Sequence, residues 1–191
     1  SLGDCTLPGT TDENRLGGGE HPTNITSRLT RTHPYAGRVE YSREVEITPE
    51  MEDQRLVLYM ERTKPSTLWI DGDSIGHQGH IYAPHRYELP ALKAGRHEVR
   101  IVVDNSSASV PEEIQSSHAW TDNTQTNWNG IIGEIALTTS LPEKEAIPVH
   151  PAFKDFHIEG QQFFAGGHPI YLRGRHDACV WPLTGHVAMD V

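Results

Sequence analysis

The chain has 191 residues and a formal net charge of −10, which argues against a duplex phosphate backbone or an anionic membrane as main partner, since both would repel it. Apolar residues make up 36% of the sequence, enough for one modest core. With 17 Gly and 13 Pro, about 16% of the chain against roughly 12% in average usage, the composition favours short strands and tight turns over long helices.

No run approaches the roughly 18 apolar residues of a membrane-spanning helix. The opening SLGDCTLPGT has neither the basic nor the apolar region of a signal peptide. Residues 1–37 are polar, carry Gly17-Gly18-Gly19 and show no period, so they read as an irregular arm. From Arg38 the pattern becomes that of a strand: Val39, Tyr41, Arg43, Val45 and Ile47 share one parity, with Arg43 the exception on an otherwise apolar face. Leu56 to Met60 is a compact apolar run, and Thr67 to Ile70 follows a break at Lys64-Pro65. Asp71-Gly72 then gives a strong local hairpin signal. Val99, Ile101 and Val103 alternate in the strand after Ala94-Gly95, and Ile131 to Thr139 reads as a final strand. Strands at this spacing predict an all-β, antiparallel sandwich over residues 38–140. Residues 141–152, rich in proline and mixed charge, read as a linker. Beyond it, Phe163-Phe164, the turn at Ala165-Gly166-Gly167 and Ile170-Tyr171-Leu172 form a hairpin-like unit within 153–191, too short to bury a core of its own.

The densest polar-aromatic stretch is His118 to Asn129. Trp120 and Trp128 offer flat faces for the C–H surfaces of sugars, and Asp122, Asn123, Gln125 and Asn127 can pair with hydroxyls. The plainer reading is a loop capped by two half-buried tryptophans. His77, His80 and His85 share a segment with Asp71 and Asp73, but their spacing fits no compact zinc pattern and the aspartates serve the hairpin, so no metal is expected. Without a nucleophile elbow, a phosphate loop or a dinucleotide fingerprint, no cofactor is expected either. Cys5 and Cys179 permit one disulfide at most, and the sequence does not show that they meet. Asn24-Ile25-Thr26 and Asn105-Ser106-Ser107 are formal glycosylation acceptors.

Taken in order, several segments resemble the amino-terminal portion of a glycoside hydrolase family 2 enzyme. Tyr41 to Ile47 resembles the opening strand of that family's sugar-binding domain. Leu68-Trp69-Ile70-Asp71-Gly72 with Ile75-Gly76 is similar to its V-W-V-N-G-x-x-x-G hairpin. Leu92 to His97, leading into Val99 to Asn105, and Trp128 to Gly133 resemble two further family segments. Phe163 to Gly174 resembles the entry to the family's catalytic barrel. Arg175-His176-Asp177 with Pro182 to Gly185 resembles the loop after the first barrel strand in β-galactosidases.

The resemblance runs from about Leu7 to Asp190. It implies a jelly-roll domain of the galactose-binding type over 38–140 and an incomplete start of a catalytic barrel within 153–191. In the family Arg173, His176 and Asp177 would line the pocket for the nonreducing sugar. A retaining hydrolase uses two carboxyls about 5 Å apart. Both of those glutamates would lie in barrel strands outside this sequence, and the family's immunoglobulin-like middle domain has no counterpart here. The implied function is the non-catalytic sugar-binding region of a β-galactosidase-like retaining glycosidase, inactive on its own. Its implied partners are a β-galactoside or related glycan and the catalytic barrel, with no nucleic acid and no membrane, and its implied location is periplasmic or secreted. The alternative is a stand-alone carbohydrate-binding module without hydrolase activity.

Overall fold

The computed structural model describes residues 3–19, 31–52, 54–118, 120–121, 126–139 and 155–174. In chain order the strands are β1 (Gly9–Thr10), β2 (Arg38–Ile47), β3 (Val57–Met60), β4 (Ser66–Ile70), β5 (Asp73–Gln78), β6 (His85–Glu88), β7 (Gly95–Asp104), β8 (Gly130–Ile131), β9 (Ile135–Thr138), β10 (Phe156–Glu159), β11 (Gln162–Ala165) and β12 (His168–Ile170). Two short helices, α1 (Pro49–Glu52) and α2 (Glu112–Gln115), and one 3-10 turn, Ser107–Ser109, complete the set among the described residues. The chain divides into two compact units, one drawn from Ser1–Leu141 and Cys179–Val191, the other from Pro142–Ala178.

The first unit is an antiparallel β-sandwich. One sheet runs β2-β7-β4-β5 and the other β6-β3-β9. Period-two alternation decides which side chains face inward. Val39 and Tyr41 on β2 stand opposite Val103 and Ile101 on β7, and Ile101 is in turn opposite Leu68 on β4. These residues pack with Leu58 and Met60 of β3 and Tyr87 of β6 in one core. On the outer face of the first sheet, Arg100 sits 3.3 Å from Glu40, and its guanidinium lies 4.6 Å from the Trp69 ring.

The turn between β4 and β5 is the one the sequence predicts. Asp71 and Gly72 both take positive φ, 51° and 89°, as a tight hairpin turn of twisted strands requires. The Asp71 carboxylate accepts from the Glu98 backbone N–H at 2.8 Å and meets His97 Nδ1 at 2.6 Å. These bonds hold the Asp71 carboxyl below its ordinary pKa, while the same contact raises His97.

Two features depart from the sequence reading. β6 is a strand whose inward residues are His85 and Tyr87, and its pattern is hidden because one inward residue is polar. The stretch Ile131 to Thr139 is not one strand. Its start, β8, pairs with β1, and its end, β9, pairs with β3. Between them Gly133 passes so close to Glu61 that a Cβ would lie 2.9 Å from the Glu61 carbonyl oxygen.

The second unit is a three-stranded antiparallel meander, β10-β11-β12. Gly160, Gly166 and Gly167 have φ of 59°, 59° and 75°, the left-handed values its two turns need. Register places Phe163 opposite both Ile158 and Ile170, so the apolar side chains share one face. Phe156 and Phe163 stack at 5.7 Å on that face.

The pairing of β1 with β8 depends on the absence of a side chain at Gly130. A Cβ there would stand 2.2 Å from the Gly9 carbonyl oxygen, at a φ of 152°. Gly130→Ala should therefore lower stability by about 2–4 kcal/mol. Hydrogen exchange should show protection lost first at Gly9 to Asp12; unchanged protection there would refute the close approach as the cause.

Candidate functional site

The loop that ends at β8 is held by a buried amide network. Asn105 and Asn129 are both fully buried. Asn129 Nδ2 lies 3.1 Å from the carbonyl oxygens of Gly37 and Val103 and from Asn105 Oδ1. Its Oδ1 accepts from the Tyr41 hydroxyl at 3.0 Å. Asn105 accepts from the Gly37 N–H at 2.9 Å and donates to the carbonyls of Tyr35 and Asn127. Asn127 returns a bond to the Asn105 carbonyl at 2.8 Å. Burial of Tyr41, which this network terminates, drives its phenol pKa upward. Asn105 is thus unavailable as a glycan acceptor in the folded chain, and Asn24 lies outside the described residues.

A buried ion pair ties the arm to the same loop. Arg31 Nε and Nη2 donate to Asp12 Oδ1 and Oδ2 at 3.0 and 2.5 Å, and Nη1 donates to the Asn127 carbonyl at 3.1 Å. Asp12 is 2% and Arg31 5% exposed, so each charge depends on the other for compensation. The Thr11 N–H donates to the Asn129 carbonyl at 2.9 Å.

Beside these groups sits a cation between two aromatic rings. Lys64 Nζ lies 4.5 Å from the Trp120 centroid and 4.8 Å from that of Trp128. Lys64 and Trp120 are each 3% exposed, whereas Trp128 is half-buried. In a desolvated site a contact of this kind is worth about 2 kcal/mol. The two tryptophans named from the sequence are therefore neighbours, and the ammonium between them is a residue the sequence reading passed over as part of a strand break. Asn127 belongs to the amide network. Asp122, Asn123 and Gln125 lie outside the described residues, as do His176, Asp177 and Cys179. Arg173 is exposed, just beyond β12 in the second unit. Cys5 is an exposed free thiol whose pKa burial and Asp4 raise.

The histidine segment is organised around hydrogen bonds. His85, fully buried, has Nδ1 2.6 Å from Ser66 Oγ, and its Nε2 donates to the His80 carbonyl at 2.9 Å. The Tyr87 hydroxyl donates to the Ser66 carbonyl at 2.8 Å. His77 Nδ1 pairs separately with Thr67 Oγ1 at 3.0 Å. Both His85 nitrogens are engaged, and among the described residues no group of three His, Cys, Asp or Glu is placed to hold a metal ion.

Two predictions follow from these contacts. Burial pushes the His85 pKa down from 6.5 to about 4. The unfolded chain takes up that proton first, so stability is present above pH 6.5 and declines as pH falls toward 4, by on the order of 3 kcal/mol. His85→Gln should make the stability-against-pH curve shallower in that window by roughly one proton, and an unchanged slope would assign the effect elsewhere. Arg31→Met strands the Asp12 carboxylate and should cost about 3–5 kcal/mol in denaturant unfolding.

No protein-family model and no curated protein matches the chain. Solved structures do match. A calcium-binding mutant of Bacteroides uniformis β-glucuronidase 2 aligns at 17% identity and a TM-score of 0.51, over 71% of this chain and 14% of its own. A GH2 β-galacturonidase from Eisenbergiella tayi aligns at 19% identity and a TM-score of 0.46, over 70% of this chain and 19% of its own. A β-D-mannosidase from Dictyoglomus thermophilum aligns at 15% identity and a TM-score of 0.42, over 53% of this chain and 15% of its own. The chain thus spans a minor part of each of these enzymes. At such identities the first likeness speaks to fold alone, and that fold is the antiparallel β-sandwich found within a β-glucuronidase.

Proposed function

We propose that this chain is the non-catalytic sugar-binding region of a retaining β-glycosidase, β-galactosidase-like in substrate. The carrying observation is that the sandwich shared with the Bacteroides uniformis β-glucuronidase covers 71% of this chain. The order of family-like segments in the sequence points to the same enzymes. Those segments also have structural work in the fold: Asp71 and Gly72 make the hairpin turn, Asn105 and Asn129 lock the loop, and Gly130 admits the arm.

In this reading the sandwich orients a catalytic barrel and completes one wall of its pocket, while the chemistry belongs to glutamates of that barrel. Trp128 is the ring offered to the sugar, with Trp120 and Lys64 packed beside it as support, and Asn127 holds the loop through the amide network. By the sequence resemblance alone, Arg173, His176 and Asp177 belong to the barrel's own pocket. Galactose is the favoured sugar because of the Arg175 to Gly185 resemblance. The burial of Trp120 against Lys64 weighs against a stand-alone binding module, which needs open aromatic platforms to bind unaided.

The test is hydrolysis of p-nitrophenyl β-galactoside, β-glucuronide, β-galacturonide and β-mannoside by the native gene product. The expected result is a native mass several times 21.3 kDa and β-galactoside cleavage with retention of anomeric configuration, while residues 1–191 alone are inactive. A native mass near 21.3 kDa without hydrolysis would sink the proposal. In the active protein, Trp128→Ala should raise KM about tenfold with little change in kcat, the pattern of lost uniform binding.

A further inference from the structure

A cavity of about 360 Å³ lies inside the sandwich, away from the Trp120–Trp128 loop. Its lining comes from the two strands that end the sheets: Tyr41, Arg43 and Val45 of β2, and Ile135, Ala136 and Leu137 of β9. Leu58, Ile101 and Leu7 close more of it, so most of the wall is apolar. The volume falls within the range of small-ligand pockets, roughly 300–1,000 Å³. An apolar space of this size leaves its lining without dispersion partners on one side.

The polar exception is informative. Arg43 shares the inward parity of Tyr41 and Val45, and its register partner is the buried Val99. Its side chain is nonetheless exposed. Two other arginines of this sheet are paired, Arg96 with Glu44 at 3.7 Å and Arg100 with Glu40 at 3.3 Å. Unlike these two, the Arg43 side chain forms neither an ion pair nor a hydrogen bond among the described residues. A guanidinium with an open fork is matched in shape and charge by a carboxylate. Among the residues that line the cavity there is no Asp or Glu to compete for the guanidinium.

We propose that this cavity binds an amphiphilic monocarboxylate, its hydrocarbon tail between the sheets and its carboxylate on Arg43. At roughly 30 Å³ per heavy atom, the space holds about twelve, the size of decanoate. The site is independent of the sugar-facing loop. The net charge of −10 makes the local cation decisive, because the field of the whole chain disfavours anions.

The test uses the 191-residue chain and the neutral fluorophore N-phenyl-1-naphthylamine, displaced by decanoate, 1-decanol or decyltrimethylammonium, with calorimetry as a second readout. Decanoate should bind at least about tenfold more tightly than decanol, and the cationic amphiphile most weakly. Arg43→Gln, a change at an exposed side chain, should abolish the preference and leave decanol binding unchanged. Ala136→Phe, checked for folding by its thermal midpoint, should weaken both ligands. The proposal is overturned if no ligand binds, as when residues of the chain itself take up the space. It is also overturned if decanoate and decanol bind alike with Arg43 present, or if folded Ala136→Phe binds as before.

Discussion

Two buried carboxamides, Asn105 and Asn129, join parts of the chain that no strand pairing would bring together. Between them they bond to the backbone at Tyr35 and Gly37, to the end of β7 at Val103, and to the Tyr41 hydroxyl in the core. Buried amides are costly unless satisfied, and satisfied ones specify a single arrangement. This pair fixes where the loop between β7 and β8 starts and ends. The Asp12–Arg31 ion pair and the Lys64 contact with the tryptophans are then built against an edge that cannot shift. The geometry of the candidate site is thus inherited from two side chains with no opening toward a ligand.

The sandwich was largely legible in the sequence because its main strands have one wet face and one dry face. β2 and β7 alternate except at Arg43 and Val102, and the Asp71-Gly72 turn announces itself through residue types that tolerate positive φ. β6 was not legible, because His85 occupies an inward position through hydrogen bonds to Ser66 and His80. Periodicity measures hydrophobicity, and a satisfied polar residue does not register in it. The arm shows the same limit: Thr10, Asp12 and Arg31 are buried with their polar groups paired, so the stretch looks like a solvated loop.

The site was legible in part for a related reason. Tryptophans stand out by their rarity and size, and the fold brings Trp120 and Trp128 to one lysine, which their sequence positions do not announce. Lys64 did not stand out, since lysines are ordinarily solvated and only the folded chain shows this one between two rings. The same holds for Arg43, whose parity was visible in the sequence while the lack of a side-chain partner among the described residues was not. Charge that departs from its usual surroundings is a property of the fold.

The strand β1 also sets an order of events during synthesis. Gly9 pairs with Ile131 and Thr10 with Gly130, so a segment made more than a hundred residues earlier must wait for one of the later strands of the sandwich. Contacts this distant along the chain slow folding and leave early segments unprotected in the meantime. The polar character of the arm suits that interval, since it offers little apolar surface to a wrong partner. Closure of the domain is therefore a late step, and a nascent chain arrested before Gly130 would carry its arm as a free polar tail.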